Sequence, residues 1–444
     1  MSKNKSAAIF ILILLITSLS AIAYISYFSS KKYDETKESK HIQNKEAMVH
    51  STTHRALLSI RSIGGGGLPV INVSEYEGEN DTVKIQAALN DVPEGGAIVF
   101  IPSGVWVAAG LQAKSHTFIV GAEGAIIRRP ENVTEPFLTF ANISDFAVLN
   151  LTFEGENIEN AYGIEVIDSR NFTIQNNTFY NHTKSAVKVT LSLNGTSSNF
   201  TISNNLFLNC QNVPIFIFGI PSRRAIRNFC ILNNTLINGT KNGKIGIAFS
   251  ANGTIENNKI INCQYGIATR CVSNLTIRKN YVENITDYGI YLGTQVGDPG
   301  TDNVKIIENE IRHSRIGICR YYGSYPLVNI QVINNLFVNS SQYDILADFP
   351  GTFINNTITD ASKLKIENLA TLFIGTRTVS GQIILPGDIN HDLKINIIDV
   401  ALVAISFGSS KGNPNWNEAA DIIQDGEINI KDISYLAKNF GITS

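Results

Sequence analysis

From Phe146 onward apolar and polar positions alternate in short runs, and one phrase recurs along the chain. It reads NFTIQNNTF (171–179), NFTISNNLF (199–207), NFCILNNTL (228–236), GTIENNKI (253–260), NLTIRKNYV (274–282), NVKIIENEI (303–311), NIQVINNLF (329–337) and TFINNTI (352–358). Each copy holds an alternating strand, an Asn, and a second short strand. Successive copies lie 21–29 residues apart, a period that marks solenoids. Alternation turns every second side chain toward a core. One repeat cannot bury its inner face alone, whereas stacked neighbours can. The shared positions are Asn177, Asn205, Asn234, Asn258, Asn280, Asn309, Asn335 and Asn356. If coils stack in register, these side chains stand about 4.8 Å apart and their amides can bond in a ladder. Asn also tolerates the left-handed backbone that a sharp turn between strands demands. The reading of these Asn is structural, not catalytic.

Other patterns flank the repeats. Thr82 to Asp91 reads as a short amphipathic helix with Val83, Ala87 and Ile85 or Leu89 on one side. It is placed to cover the open end of the solenoid, which otherwise exposes unpaired strand edges. At the chain start, Lys3 and Lys5 precede an apolar run from Ala7 to Phe28, the form of an export signal. The run is long enough to span a bilayer, which takes about 20 residues. Ala21-Ile22-Ala23 offers a cleavage site, yet the run continues past it. Residues 1–28 are expected to be a signal peptide or a signal-anchor helix that brings the membrane in as partner. Residues 29–67 are polar and end in four glycines, the composition of a flexible linker.

Composition agrees with the pattern. Charged residues make up 17% of the chain and the net charge is −2, which gives no electrostatic reason to expect nucleic acid. The five cysteines leave at least one thiol unpaired and show no CxxC or Cys/His ligand spacing; they read as small buried residues. N-x-[ST] sequons such as Asn171, Asn199 and Asn274 permit glycosylation.

The Asn-bearing coils resemble those of the pectin-lyase-like superfamily. The segment VINVSEYEGENDTVKIQAALNDVPEGGAIVFIPSGVW (70–106) is similar to the start of pectate-lyase-superfamily proteins: Asp81, Ile85, Gln86, Ala88, Leu89, Pro93, Gly95, Gly96, Pro102 and Gly104 fill that pattern. The resemblance covers about residues 68–385. It implies a mostly β fold, a right-handed parallel β-helix of about eight to ten coils. It is specific for fold and weak for activity, because such a fold hosts many chemistries.

In enzymes of this superfamily the first sheet of each coil carries the site. Its strands here are GIEVID (163–168), AVKVT (186–190), IFIFG (215–219), GIAFS (246–250), GIATR (266–270), GIYLG (289–293), GICRY (317–321) and DILAD (344–348). With Ile or Val inward, one outward column reads Glu165, Lys188, Phe216, Ala248, Ala268, Tyr291, Cys319, Leu346. The other reads Ile167, Thr190, Phe218, Ser250, Arg270, Gly293, Tyr321, Asp348. Polygalacturonase-type hydrolysis needs carboxyls on neighbouring coils, and neither column shows a cluster. The family's lyases need an Arg or Lys base, so the resemblance points to Arg270, Tyr291 and Tyr321 as catalytic candidates. Asp298 and Asp302 from the long following loop are helpers, and Phe216 and Phe218 are substrate-stacking residues. Glu165 and Lys188 read as a plain cross-strand ion pair. His116, His182 and His313 lack an orienting acid nearby in sequence.

At the C-terminus, DINHDLKINIIDVALVAISFG (388–408) and DIIQDGEINIKDISYLAKNFG (421–441) align without gaps. A calcium loop places oxygen donors at positions 1, 3, 5, 7, 9 and 12. The first copy offers Asp388, Asn390, Asp392, the Lys394 carbonyl, Asn396 and Asp399; the second offers Asp421, Asp425, the Glu427 carbonyl, Asn429 and Asp432. A helix follows each loop, ending in the C-cap glycines Gly408 and Gly441. This duplicated loop and helix over 386–444 resembles dockerin, a paired EF-hand-like module, and implies calcium as cofactor and a cohesin-like protein as partner. Two departures stand out. Ile423 occupies a side-chain ligand position, and Leu393 replaces the usual turn Gly, which costs strain. The expected whole is an exported protein, secreted or anchored on the outer face of the membrane. It binds an acidic polysaccharide or cleaves it by elimination; the alternative is a non-catalytic adhesive solenoid.

Overall fold

The computed structural model describes residues 67–221, 223–294, 300–321 and 326–443. The export segment and most of the linker lie outside them, as does Asp298. Among the described residues no helix is long and apolar enough to cross a membrane.

The chain winds into a right-handed parallel β-helix of about ten turns. Each coil contributes three strands, as in Ile164–Ile167, Arg170–Gln175 and Thr178–Tyr180; these define faces 1, 2 and 3. Face 2 is a sheet of 13 strands. Faces 1 and 3 join into one sheet because Tyr281–Gly293 and Glu310–Arg320 run unbroken from face 3 onto face 1. Pairing is parallel and in register: Ile164 stands on Val187, then Ile215, Ile245, Ile267, Ile290, Ile318 and Ile345. The inward residues of all three faces fill one continuous apolar core.

The eight repeat asparagines are at most 1% exposed and form the expected ladder. Asn177 Nδ2 donates to Asn205 Oδ1 at 3.1 Å, Asn205 to Asn234 at 3.0 Å, and Asn234 to Asn258 at 3.0 Å. The file continues through Asn280, Asn309 and Asn335 to Asn356. The same oxygens accept backbone N–H groups from the coil before, such as Asn205 N at 3.1 Å from Asn234 Oδ1. The left-handed residue at this turn is not the ladder Asn but the one before it: Asn176, Asn204, Asn233, Asn257, Lys279, Glu308, Asn334 and Asn355 all have φ between 52° and 58°. One residue makes the corner, and the next turns inward and bonds. A second, exposed ladder runs along the start of face 2, where Asn199 donates to Asn171, Asn228 to Asn199, and Asn252 to Asn228, at 3.1–3.2 Å.

Aromatic stacks thread the core. Phe146, Phe172, Phe200 and Phe229 stack along face 2 at 4.6–5.6 Å between centroids. The file ends at Gly253, where a Cβ would meet the Phe229 ring at 2.2 Å. Phe153, Phe179 and Phe207 stack similarly on face 3.

An α-helix, Asp81–Asn90, covers the first coil; call it α1. Asn80 caps it by accepting from Val83 N at 3.0 Å. Its buried side is Ile85, Ala88 and Leu89, which corrects the expected face: Val83 is 40% exposed. The motif residues act as straps. Gln86 exchanges two hydrogen bonds with the backbone of Gln112, and Asp81 accepts from Val107 N at 2.9 Å. The sheet edge that would otherwise be open is thereby bonded to helix side chains. No disulfide joins the five cysteines, of which all but Cys230 are buried.

The chain closes with helices α2 (Ile397–Ser406) and α3 (Ile430–Asn439), each with a capping box formed by Asn396 with Asp399 and by Asn429 with Asp432.

Candidate functional site

The outward side of face 1 carries most of the chemistry. Register fixes its columns and corrects one of them. Phe216 stands beside Gly246 and Phe218 beside Ala248, with Ala248 beside Arg270. Gly246 therefore belongs in the first column and Ala248 in the second, not Ala248 and Ser250. Alternation identifies which face a residue takes, but a slip of two residues preserves that face and is invisible to it.

The expected ion pair is present, with Lys188 Nζ 2.8 Å from Glu165. Farther along, tyrosines gather. Tyr291 and Tyr321 rings are 4.8 Å apart, Tyr288 lies 5.3 Å from Tyr321, and Tyr265 lies 5.6 Å from Tyr291. Tyr265, Tyr288 and Tyr321 are half-buried, while Tyr291 is 9% exposed. Burial pushes the Tyr291 hydroxyl well above its usual range, so it holds its proton. Cations surround the rings: Lys244 Nζ is 4.7 Å from the Tyr265 centroid and Arg315 4.6 Å from that of Tyr288. Arg315 is also held by Asp287 at 3.1 Å. Burial lowers Lys244 to about 8.

Arg270 lies 4.8 Å over the Phe249 ring. Phe216 and Phe218 are 5.0 Å apart, on the other side of Gly246 and Ala248. Asp302 stands at the start of a face-2 strand and pairs with Arg224 at 2.6 Å. The structure thus gathers Arg270, Tyr291 and Tyr321 on one stretch of face 1, flanked by Phe216 and Phe218, and ties Asp302 to an arginine. Lys244, Tyr265, Tyr288 and Arg315 were absent from the sequence reading. Their signal is the residue one or two places before each face-1 strand, as in QYGIAT and DYGIYL, upstream of the outward columns. Two histidines face carboxylates remote in sequence, His116 with Asp145 and His313 with Glu283, both at 3.7 Å.

At the far end of face 1, Asp348 accepts Arg320 N at 2.7 Å. Burial raises its carboxyl to about 6. A carboxyl raised on folding stabilises the fold below its unfolded value near 3.8, and this is lost as pH climbs through about 6. Asp348→Asn keeps the acceptor and removes the charge. It is expected to raise the melting temperature at pH 8, by at most about 3 kcal/mol of stability, and to leave it unchanged at pH 4. Thermal melts at the two pH values measure this.

In the C-terminal module, carboxylates organise both loops. Asp388 accepts Asp392 N at 3.0 Å and Leu393 N at 2.8 Å, and Asp399 accepts Ile389 N and Asn396 N at 2.7 and 2.8 Å. In the second loop, Asp421 accepts Asp425 N and Gly426 N, and Asp432 accepts Ile423 N and Asn429 N, at 2.9–3.1 Å. Asn390 and Asn396 both donate to Asp392, which brings the first loop's oxygens close. Among the described residues no three acidic, His or Cys side chains converge on one point; the remaining donors at these positions are amide and carbonyl oxygens. An all-oxygen set fits a hard divalent cation. Leu393 adopts φ 66° where the second loop has Gly426 at 87°, the strain expected at that turn. Ile423, in a ligand position, is 5% exposed and packs into the core. Lys365, from the strand Leu364–Ile366, donates to the neighbouring Gln424 carbonyl and ties this loop to the solenoid. Ile397, Ile405, Phe407, Ile430 and Phe440 are 51–73% exposed.

Comparison with known proteins agrees with both halves. The family described as right handed beta helix region matches residues 138–222 and 191–359, and the dockerin type I domain matches 386–441. Cellulosomal-scaffolding proteins B and A of Acetivibrio thermocellus are each 47% identical over 58 residues, 13% of this chain. The match spans only 8% and 3% of their own lengths. An exopolygalacturonase from Thermotoga maritima has a TM-score of 0.53 at 14% identity, covering 69% of this chain and 93% of its own. A mannuronan C-5 epimerase A-module from Azotobacter vinelandii gives 0.52 at 15%, covering 71% and 97%. The surface adhesin PfbA of Streptococcus pneumoniae gives 0.53 at 17%, covering 70% and 90%. At such identities the likeness is one of fold, shared by hydrolase, epimerase and adhesin alike. The chain belongs to the right-handed β-helix family and ends in a dockerin type I domain.

Proposed function

We propose that this protein acts outside the cell, where face 1 of its β-helix recognises an acidic polysaccharide and its dockerin fastens it to a cohesin-like partner. The observation that carries the reading is the cluster of Tyr265, Tyr288, Tyr291 and Tyr321 beside Lys244, Arg270 and Arg315. Aromatic faces stack on sugar rings, and adjoining cations match uronate carboxylates. Binding is favoured over cleavage by Arg270, Tyr291 and Tyr321 themselves. Arg270 is laid against Phe249, and Tyr291 is covered and fully protonated at neutral pH. One observation favours elimination as a second reading: Lys244, lowered to about 8, can accept a proton near neutral pH.

In the dockerin, Asp388, Asn390, Asp392, the Lys394 carbonyl, Asn396 and Asp399 would hold one calcium ion. Asp421, Asp425, the Glu427 carbonyl, Asn429 and Asp432 would hold another, with one side-chain ligand fewer. Calcium would neutralise these carboxylates and fix the loop that starts each helix. The exposed apolar pairs Ile397 with Ile430, and Phe407 with Phe440, recur at matching places in the two copies and supply the docking surface.

Calorimetric titration with polygalacturonate tests the face-1 reading. Tyr288→Ala is expected to weaken binding about tenfold (about 1.4 kcal/mol), while the ultraviolet absorbance of unsaturated ends stays flat. Absence of binding to any uronan removes the reading. A rise in absorbance that Lys244→Ala abolishes replaces binding by elimination.

A further inference from the structure

A cleft of about 560 Å³ opens beside the turn that follows Ile215–Phe218, with no tyrosine in its lining. Thr196, Ser198, Arg223, Arg224, Arg227 and Asn228 line it. Arg224 is fixed in place: it pairs with Asp302 at 2.6 Å and donates to the Gly300 carbonyl at 2.7 Å. The other two arginines bond neutral acceptors. Arg223 Nη1 donates to the Leu193 carbonyl at 2.6 Å, and Arg227 Nε to the Arg224 carbonyl at 2.7 Å. Among the described residues neither lies within ion-pair distance of a carboxylate, so their charges stay uncancelled, and each bond spends only one N–H of its guanidinium.

Strand register sets a fourth arginine in file with the cleft, outside its lining. Arg170, Ser198 and Arg227 occupy one file on successive coils, about 4.8 Å apart. Ser198 therefore lies between two arginines in the file. Arg170 is partly balanced by Asp145 on the coil below. Planar guanidinium forks bind two oxygens of an oxyanion at once, and the Thr196 and Ser198 hydroxyls and Asn228 amide can bond neighbouring sugar hydroxyls. Three arginines line a single cleft in a chain of net charge −2, which suits one anionic group and not an extended phosphate backbone.

We propose that this cleft is a second, separate anion site that takes the sulfate ester or carboxylate of a glycan. The site does not depend on face 1 binding anything.

The test is calorimetry on the full chain with dextran sulfate, polygalacturonate and neutral dextran. Dextran sulfate is expected to bind, and neutral dextran is not. The double variant Arg223→Ala/Arg227→Ala and the single Ser198→Glu should each weaken binding at least tenfold, with Lys305→Ala, at an exposed lysine of the strand Thr301–Ile307 outside the cleft lining, within twofold of the parent. Arg223→Lys/Arg227→Lys, which keeps charge but not the forks, should recover part of the loss. It also decides the matter if the alanine pair fails to fold by circular dichroism. Competition by polygalacturonate assigns the site to carboxylates, and its absence to sulfate. Binding carried by these charges should fall with salt. No binding of either polyanion overturns the proposal. So does an equal loss in Lys305→Ala, which would mean diffuse attraction without a site.

Discussion

Asn234→Ala should unfold the middle of the solenoid under conditions in which the parent is fully folded. Asn234 is 0% exposed. Its Oδ1 accepts from both the backbone N–H and the side-chain amide of Asn205, at 3.1 and 3.0 Å. Its Nδ2 donates to the Ile202 carbonyl and to Asn258. Alanine strands two buried donors at once, and each unmet donor costs about 1–3 kcal/mol. The expected loss is therefore about 2–6 kcal/mol, added to that of a small cavity. Because each coil contacts only its neighbours, the damage should appear as a separate early transition in denaturant, with the flanking coils unfolding later. Asn228→Ala is the matched control. It sits one coil-corner away on the exposed ladder, at φ 55°, and should cost about 1 kcal/mol, the price of alanine in a left-handed corner. Equal effects in the two variants would mean that the buried amides bear no special load.

Calcium binding to the first loop should disappear in Asp399→Ala, with affinity down more than a hundredfold (about 2.7 kcal/mol). Asp399 is 0% exposed and has two tasks. In the proposed site it would close the ligand set at the twelfth position, and its two oxygens accept Ile389 N and Asn396 N, which shapes the loop before α2. Alanine removes a ligand and leaves two backbone donors unmet. Leu393→Gly tests the same loop with the opposite sign. Relief of the left-handed leucine at φ 66° should tighten the site by roughly 1 kcal/mol. Calorimetry with and without a chelator reads both, and Asp432→Ala reports the second loop independently. Heats that Asp399→Ala leaves intact would refute the assignment of the first site.

How much of this was legible in the sequence varies by element. The ladder positions were readable because a buried amide must recur once per coil to find its partner, and recurrence survives in a bare string. The C-terminal module was readable because its donors follow a fixed spacing within one short segment. The identity of the left-handed corner was not, since adjacent asparagines in NN look alike and only backbone geometry separates corner from rung. At Lys279 and Glu308 the corner is not Asn at all, which could have located it. Face-1 chemistry was half readable. Period-two alternation placed Arg270, Tyr291 and Tyr321 on the outer side, yet it could not fix the offset of Gly246 and Ala248, nor show that Tyr291 is covered by its neighbours. The arginine cleft brings together Ser198 and Arg227, spaced 29 residues apart, which only strand register makes neighbours.

The ladder also governs how such a chain can change length over evolutionary time. Coils of 21 to 29 residues already share one unbroken file of amides, so turns can gain or lose residues freely. Loss of a residue inside a strand turns its side chains to the wrong face, whereas loss or duplication of an entire winding brings an equivalent amide into the vacated place. The strand layers of this protein are therefore gained or lost in whole windings while its turns vary in length, and related chains should be aligned by counting rungs before counting residues.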